Sequence, residues 1–387
     1  MAFIITLPNG AKHVLRVPRY GIKEAWNCDE EFSFLSTVKT VEFLQSNTDL
    51  PIPRILAYDY THENGIRHPY SIISYLSSRS MYHAWNNEKD TNLEATRQKL
   101  LRSVAETVSK LSTFSFNAHG WLEFEGEDRQ NPTIGDMRRV TMDGCGQDVG
   151  VIHQTEVRKA YSSYKEHLGR KYKKAVEKGT RTISETSDDV KRGELKILGM
   201  VMDCFPKDPA NLDEDGGENF SIAPPDFDWQ NVLVDDNNNV TGLIDWDGTQ
   251  TEHGLRGWAS PLLFLMRDWT KIDTWEEDAK GYINMSAQDL VRYRRDYANY
   301  IAEAVDNKGD SCFTMKSAVW QAIDSALTKS NDRTKVLQRI LGAALPPSED
   351  NFEQLLVDAG RHCLAPEQEA DIKARLQACL ACSPGAD

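Results

Sequence analysis

The sequence predicts an α+β protein in two parts, a small strand-rich part to about residue 80 and a larger, mainly helical part from residue 81 to 387. Three observations carry that expectation. Short β-type runs with turn signals occupy the first eighty residues, and helical apolar spacing dominates from about Asp90. A single apolar hairpin with acidic ends interrupts the helical part near residue 240. A length of 387 residues corresponds to about two domains, with ample material for a buried core.

The elements follow in order. Phe3-Ile4-Ile5-Thr6-Leu7, Pro8-Asn9-Gly10 and His13-Val14-Leu15-Arg16-Val17 read as a hairpin, because Asn-Gly supplies turn residues that accept positive φ. Val14 and Arg16 share one face of the second strand, and Lys12 lies on the same face. Glu30 to Gln45 spaces Phe32, Leu35, Val38, Val41, Phe43 and Leu44 as a helix would, and the pattern stops before Leu50-Pro51-Ile52-Pro53. Apolar residues recur in Arg54-Ile55-Leu56-Ala57-Tyr58-Asp59 and in Tyr70-Ser71-Ile72-Ile73-Ser74-Tyr75-Leu76. A long amphipathic helix is expected over Leu93 to Phe114, and further helical patterns run from Ala287 to Asp306 and from Met315 to Leu341.

The chemistry concentrates in Asp226-Phe227-Asp228-Trp229-Gln230-Asn231, which leads into Val232-Leu233-Val234, a polar turn at residues 235–239, and a return through Thr241-Gly242-Leu243-Ile244 to Asp245-Trp246-Asp247. With the turn centred on Asn238, Asn231 faces Asp245 across the two strands. An amide oxygen and a carboxylate converging in this way suit a hard cation that also takes phosphate oxygens and water, and Asp226 adds a carboxylate beside them. Asp and Asn are common around turns for purely structural reasons. The weight therefore rests on spacing, strands, turn and terminal Ile-Asp-Trp-Asp occurring together.

Those residues resemble the catalytic loop and metal-binding segment of kinase-fold enzymes, most closely the aminoglycoside phosphotransferase-like family in its fungal-type branch. The resemblance implies a two-lobed protein-kinase-like fold, with a small antiparallel-sheet N-lobe over residues 1–80, a helical C-lobe over 81–387, and the catalytic loop and metal-binding hairpin at 224–247. It implies transfer of the γ-phosphoryl group of ATP to a hydroxyl of a small molecule. Asp226 would then be the catalytic base, Asn231 and Asp245 the Mg²⁺ ligands, and Arg16, in Val-Leu-Arg-Val-Pro, the cation that steadies phosphate. The chain departs from the family's pattern in three places. Pro224 stands where the family has a loop-supporting His, and Thr37 stands where its helix carries a Glu, with Glu31 and Glu42 as the nearest replacements. Because Phe3 lies in what resembles the second strand, the first strand and nucleotide-covering loop are expected to be missing. These departures define an alternative, a catalytically impaired kinase-fold protein that binds nucleotide or a partner without turnover. A metal-dependent hydrolase using the same carboxylates leaves the small-lobe pattern unexplained.

Composition narrows the partners. With 45 Lys and Arg against 59 Asp and Glu, the net charge of −14 argues against nucleic acid and anionic membranes, and is compatible with a cationic acceptor or simply a solvated acidic surface. No apolar run reaches membrane-span length and no secretory signal pattern opens the chain, which makes cytoplasm the default expectation. Seven scattered cysteines do not form a disulfide framework. Cys379 and Cys382 have the gap of a zinc half-site without a second half. The basic stretch Val157 to Arg181 reads as a solvated helix face and Asn211 to Glu218 as an acidic connection. His119 reads as a packing histidine, and Asp247 as either a ligand for an amine or second metal or a helix cap.

Overall fold

Pro8, Asn9 and Gly10 close the first hairpin as a three-residue loop, with Gly10 at φ 83° and the Leu7 N–H donating to Ala11 O at 2.8 Å. In the computed structural model this hairpin joins β1 (Ala2–Thr6) to β2 (Lys12–Arg16). The structure describes residues 1–126, 131–141, 154–181, 188–206, 218–270, 285–345 and 352–382. The expected acidic connection at 211–218 falls outside them except for Glu218, and Cys145 falls outside them altogether.

The helix α1 (Cys28–Asn47) follows. The Asn27 side chain accepts from the N–H groups of Asp29 and Glu30, and Asp29, Glu30 and Glu31 place negative charge at the positive end of the helix. Val38, Val41, Phe43 and Leu44 are its buried apolar residues. Two further strands, β3 (Ile55–Asp59) and β4 (Tyr70–Ser74), complete a four-stranded antiparallel sheet in the order β1-β2-β4-β3. In that sheet Arg16 lies opposite Ser71 and Val14 opposite Ile73.

The acidic-ended hairpin pairs Val232–Val234 with Val240–Leu243, and the short strand β5 (Arg79–Ser80) adds to its other edge. Asp235 organises the turn: its Oδ1 accepts from the N–H groups of Asn237 and Asn239, while Asn238 takes φ 62°. Val234 pairs with Val240 but Leu233 pairs with Gly242, so Thr241 is an inserted residue. That bulge corrects the expected register. Asn231 lies opposite Ile244, whose N–H donates to Asn231 O at 3.0 Å, and Asp245 falls one position beyond the facing site.

The α+β class with a small antiparallel sheet and a mainly helical remainder is what the structure shows. Three short antiparallel pairs in the C-terminal part had no strong alternation to announce them: Trp121–Glu123 with Thr133–Gly135, Met137–Thr141 with Gln154–Arg158, and Phe220–Ile222 with Thr251–His253. The helix expected over Leu93 to Phe114 is α-helical only over Leu93–Val108, then tightens into a 3-10 turn. The pattern from Met315 to Leu341 is two helices, Thr314–Thr328 and Ser330–Ala344, separated by Lys329 in extended conformation.

The chain forms two compact units. One comprises residues 1–162 and 219–258, and the other residues 163–218 and 259–387. The first unit holds β5 together with the acidic-ended hairpin, because Arg79 and Ser80 pair with Val234 and Leu233. In the second unit, Gly193 meets the Leu356 carbonyl and Gly360 the Asp189 carbonyl where a Cβ would stand, so two helices approach closely. A buried Arg294–Asp268 pair, with Nη2 donating to Oδ2 at 2.8 Å, fixes another helix there.

Candidate active site

Every candidate site residue lies in the first unit. The loop from the strand Phe220–Ile222 to the hairpin is anchored by what it buries. Pro224, Phe227, Asp228 and Trp229 are buried while Asp226 and Gln230 are exposed. Trp229 O accepts from Ser80 Oγ at 2.9 Å, and the Trp229 ring meets Tyr82 edge-on at 5.1 Å. Asp228 Oδ1 accepts from the Trp229 N–H at 2.9 Å and its carbonyl from the Asn231 N–H at 2.9 Å. Pro224 contributes packing only, since a proline ring has no N–H to donate.

Asn231 Nδ2 donates to Asp226 O at 2.8 Å and to Asp226 Oδ2 at 3.1 Å. With the amide nitrogen committed to the loop, the amide oxygen is left for a cation or donor. Across the hairpin, Trp246 is buried and its Nε1 donates to Leu243 O at 3.0 Å, so the acids on either side of it project outward. Asp245 takes φ 67°, a left-handed conformation uncommon outside Gly, Asn and Asp and recurrent at functional sites.

Arg16 reaches both acids. Its Nη2 donates to Asp245 Oδ1 at 3.0 Å and to Asp247 Oδ2 at 2.6 Å, leaving Nε and Nη1 as further donors on the guanidinium. Desolvation at the cleft pushes the Asp247 carboxyl above its ordinary value, and Asp245 adds to this while Arg16 opposes it. The side chain keeps 61% of its exposure, so crowding around the carboxylate rather than full enclosure is the cause. Asp247 was open to amine, metal or capping roles in the sequence, and its partner is Arg16. Lys12, the competing strand cation, sits over the Tyr75 ring at 5.6 Å.

Arg16, Asn231 and Asp245 line one cavity of about 520 Å³, together with Val14, Leu233 and Ile244. Tyr75, Leu76 and Ser78 form another part of its wall. Apolar walls with a few convergent polar groups at one end suit a small-molecule site, and this volume is within the usual range of about 300–1,000 Å³. The donor set fits magnesium, which takes few protein oxygens and keeps water and phosphate oxygens. Among the described residues no cluster of three or more His, Cys, Asp or Glu is gathered as an all-protein metal cage.

Other residues singled out from the sequence fall elsewhere. Thr37 Oγ1 donates to Ser33 O of its own helix at 3.0 Å. His119 is buried against Tyr161 with its Nδ1 at Thr251 O, a packing role. His253 is also buried, and desolvation lowers its pKa to about 3. Burial raises the Cys382 thiol to about 12 and also raises that of Cys379, the reverse of what thiolate metal ligands need.

A cavity bordered by a small antiparallel sheet and by a hairpin carrying Asn231 and Asp245 accords with the class of kinase-like phosphotransferases. The chain belongs to the phosphotransferase enzyme family, whose model matches residues 2–253. It is similar to the altered inheritance of mitochondria protein 9, mitochondrial, of Clavispora lusitaniae, at 21% identity over 75% of this chain and 52% of that one. The same-named protein of Eremothecium gossypii is 22% identical over 73% of this chain and 52% of that one. The chain spans about half the length of these curated relatives. Among solved structures, a thermostable mutant of an aminoglycoside phosphotransferase is 16% identical, with 88% of this chain and 91% of that chain covered and a TM-score of 0.37. The relatives' names overturn the cytoplasmic expectation, which rested only on the absence of targeting signals in the sequence.

Proposed function

We propose that the chain transfers the γ-phosphoryl group of ATP to a hydroxyl of a small molecule, in a mitochondrial setting. The observation that carries this reading is the hydrogen-bonded Asp226–Asn231 pair, with Asn231, Asp245 and Arg16 bordering one cavity. Asp226 is exposed at the loop tip, where its carboxylate would orient an acceptor hydroxyl and take its proton. Asn231 Oδ1 and the Asp245 carboxylate would hold magnesium, and the remaining donors of Arg16 would steady phosphate oxygens. When bound, the metal supplies charge neutralisation at the transferred group. The proposed acceptor is a small hydroxyl compound, with cationic ones the first to try given the net charge of −14. Neither nucleic acid nor membrane enters this reading. The mitochondrial names of the relatives support the setting.

One observation favours a second reading, nucleotide binding without turnover. Arg16 is already bound to Asp245 and Asp247, so the groups that would meet metal and phosphate neutralise each other. An acceptor screen with Mg·ATP decides, read as acceptor-dependent ADP release. ADP release with a hydroxyl compound is the expected result. Magnesium-dependent ATP binding with no release across the screen would favour the second reading, and failure to bind Mg·ATP would sink both.

A further inference from the structure

Behind the Arg16–Asp245 pair lies a second cavity of about 400 Å³. Arg16, Asp245, Pro53 and Ile73 border it and the cavity described above, so these residues form a shared wall. Asp226 and Asn231 are not among the described residues lining it, which separates it from the place where an acceptor hydroxyl would meet the base. One side is apolar, built from Trp26, Phe34, Val38, Val41, Ile55 and Ile73. Asp247 and Glu30 supply acids at the rim. The space exists because α1 presents short side chains there, Ser33 and Thr37, where a long acidic side chain on Thr37's position would project into it. The Thr37 hydroxyl turns back to its own helix and leaves a methyl to the cavity.

We propose that this second cavity is a binding site for a small aromatic amine, its ring against Trp26 and Phe34 and its ammonium on Asp247. An aromatic body fits the walls because Trp26 and Phe34 already meet edge-on at 6.1 Å and offer ring faces and edges to a third ring. A cation fits beside Asp247 because its one hydrogen-bonded partner among the described residues is Arg16 Nη2, shared with Asp245, while the other cations of the lining are engaged elsewhere, the Met1 ammonium on Val17 O and Arg19 over the Tyr20 ring. An incoming ammonium therefore competes with Arg16 for one carboxylate and leaves Arg16 on the other. An acid of the same shape meets Glu30 and Asp247 as like charges, while Arg16, Arg19 and the amino terminus, the cations of the lining, already have partners.

The test uses the chain with tryptamine as probe and indole-3-propionate as the anionic control, by calorimetry without nucleotide, so that it stands or falls apart from phosphate transfer. Tryptamine is expected to bind with a sub-millimolar Kd and the acid not to bind. Thr37→Phe, which fills the space, should abolish binding, and Asp247→Asn should weaken it about tenfold. Arg16→Ala should strengthen it several-fold, because the competing cation is gone. A thermal melt of each variant checks that it is folded, and Val41→Phe serves as a second filling variant if Thr37→Phe does not fold. Binding of the acid as tightly as the amine, binding that survives both filling variants, or weakening by Arg16→Ala would each overturn the proposal.

Discussion

The two halves of the candidate site are wired over very different distances along the chain. On the loop side, Asp226 is joined to Asn231 five residues away, and Asp235 closes its turn on Asn237 and Asn239. On the sheet side, Arg16 is joined to Asp245 and Asp247 across 229 and 231 residues. Local wiring forms whenever the loop forms, whereas the distant wiring exists only when the sheet and the hairpin are both in place. The acidic-ended hairpin and its turn can therefore form without the cation that Arg16 brings to Asp245 and Asp247.

The largest effect is expected from breaking the local half at its reacting end. Asp226→Asn preserves size and removes the proposed proton acceptor, and transfer to any acceptor found by the screen should fall about 10²–10⁴-fold. Steady-state kinetics checks this, with the Kd for Mg·ATP expected to stay within about threefold. A rate within a few-fold of the unaltered chain would mean that Asp226 is a turn residue and no base.

Breaking the distant half should act on binding instead. Even outer partners of a metal ligand contribute about 10–100-fold to affinity, so Asp245→Asn is expected to weaken magnesium-dependent ATP binding by at least about tenfold. Arg16→Ala removes the donor proposed to steady phosphate and should weaken it by a comparable factor. Unchanged affinity in Asp245→Asn, measured by calorimetry with and without magnesium, would remove the aspartate from the metal site.

A third intervention reaches the loop through the strand that feeds it. His253 lies opposite Phe220, on the strand leading to Asp226, with the two rings edge-on at 5.9 Å. Its folded pKa, about 3, is below the ordinary 6.5 because burial penalises the charged form. The neutral ring's contribution to stability is therefore complete above pH 6.5 and is lost as pH falls towards 3. Between pH 6.5 and 5 this single group should remove about 1.6 kcal/mol, the slope rising from half of about 1.4 kcal/mol per pH unit at pH 6.5 to nearly all of it at pH 5. Urea unfolding across that range checks it, and His253→Gln should flatten the slope. If the slopes coincide, other groups carry the acid sensitivity.

How much of this was legible in the sequence follows the same division. The first hairpin, α1 and the loop motif were readable because their signals are local: Asn9-Gly10 at a turn, apolar residues at helical spacing, an aspartate five residues before an asparagine. The register of the acidic-ended hairpin was missed by one residue, because alternation of Val232 to Leu243 does not reveal that Thr241 is inserted. Thr241 Oγ1 donates to Ser78 Oγ at 2.8 Å, a contact from another segment that no local pattern encodes. The role of Asp247 was open for the same reason, since its partner is Arg16. The pairing of Phe220–Ile222 with Thr251–His253 joins three-residue strands too short for periodicity to mark.

The smallest effect is expected where wiring is most local, at the hairpin turn. Asn238 holds φ 62°, a conformation that costs a residue with a Cβ about 1–2 kcal/mol and glycine almost nothing. Its Oδ1 also accepts from Arg79 Nη2 at 3.2 Å, an exposed contact worth little by itself. Asn238→Gly should therefore leave the unfolding midpoint nearly unchanged, while Asn238→Ala lowers stability by about 1 kcal/mol. Equal losses in both variants would assign the residue's contribution to its side-chain contact instead of its backbone. The turn lies at the closed end of the hairpin and Asp245 beyond the open end, so neither variant should change Mg·ATP affinity more than about twofold. A larger change would mean that turn and metal end move together, and the local and distant halves of the site would then be one cooperative element.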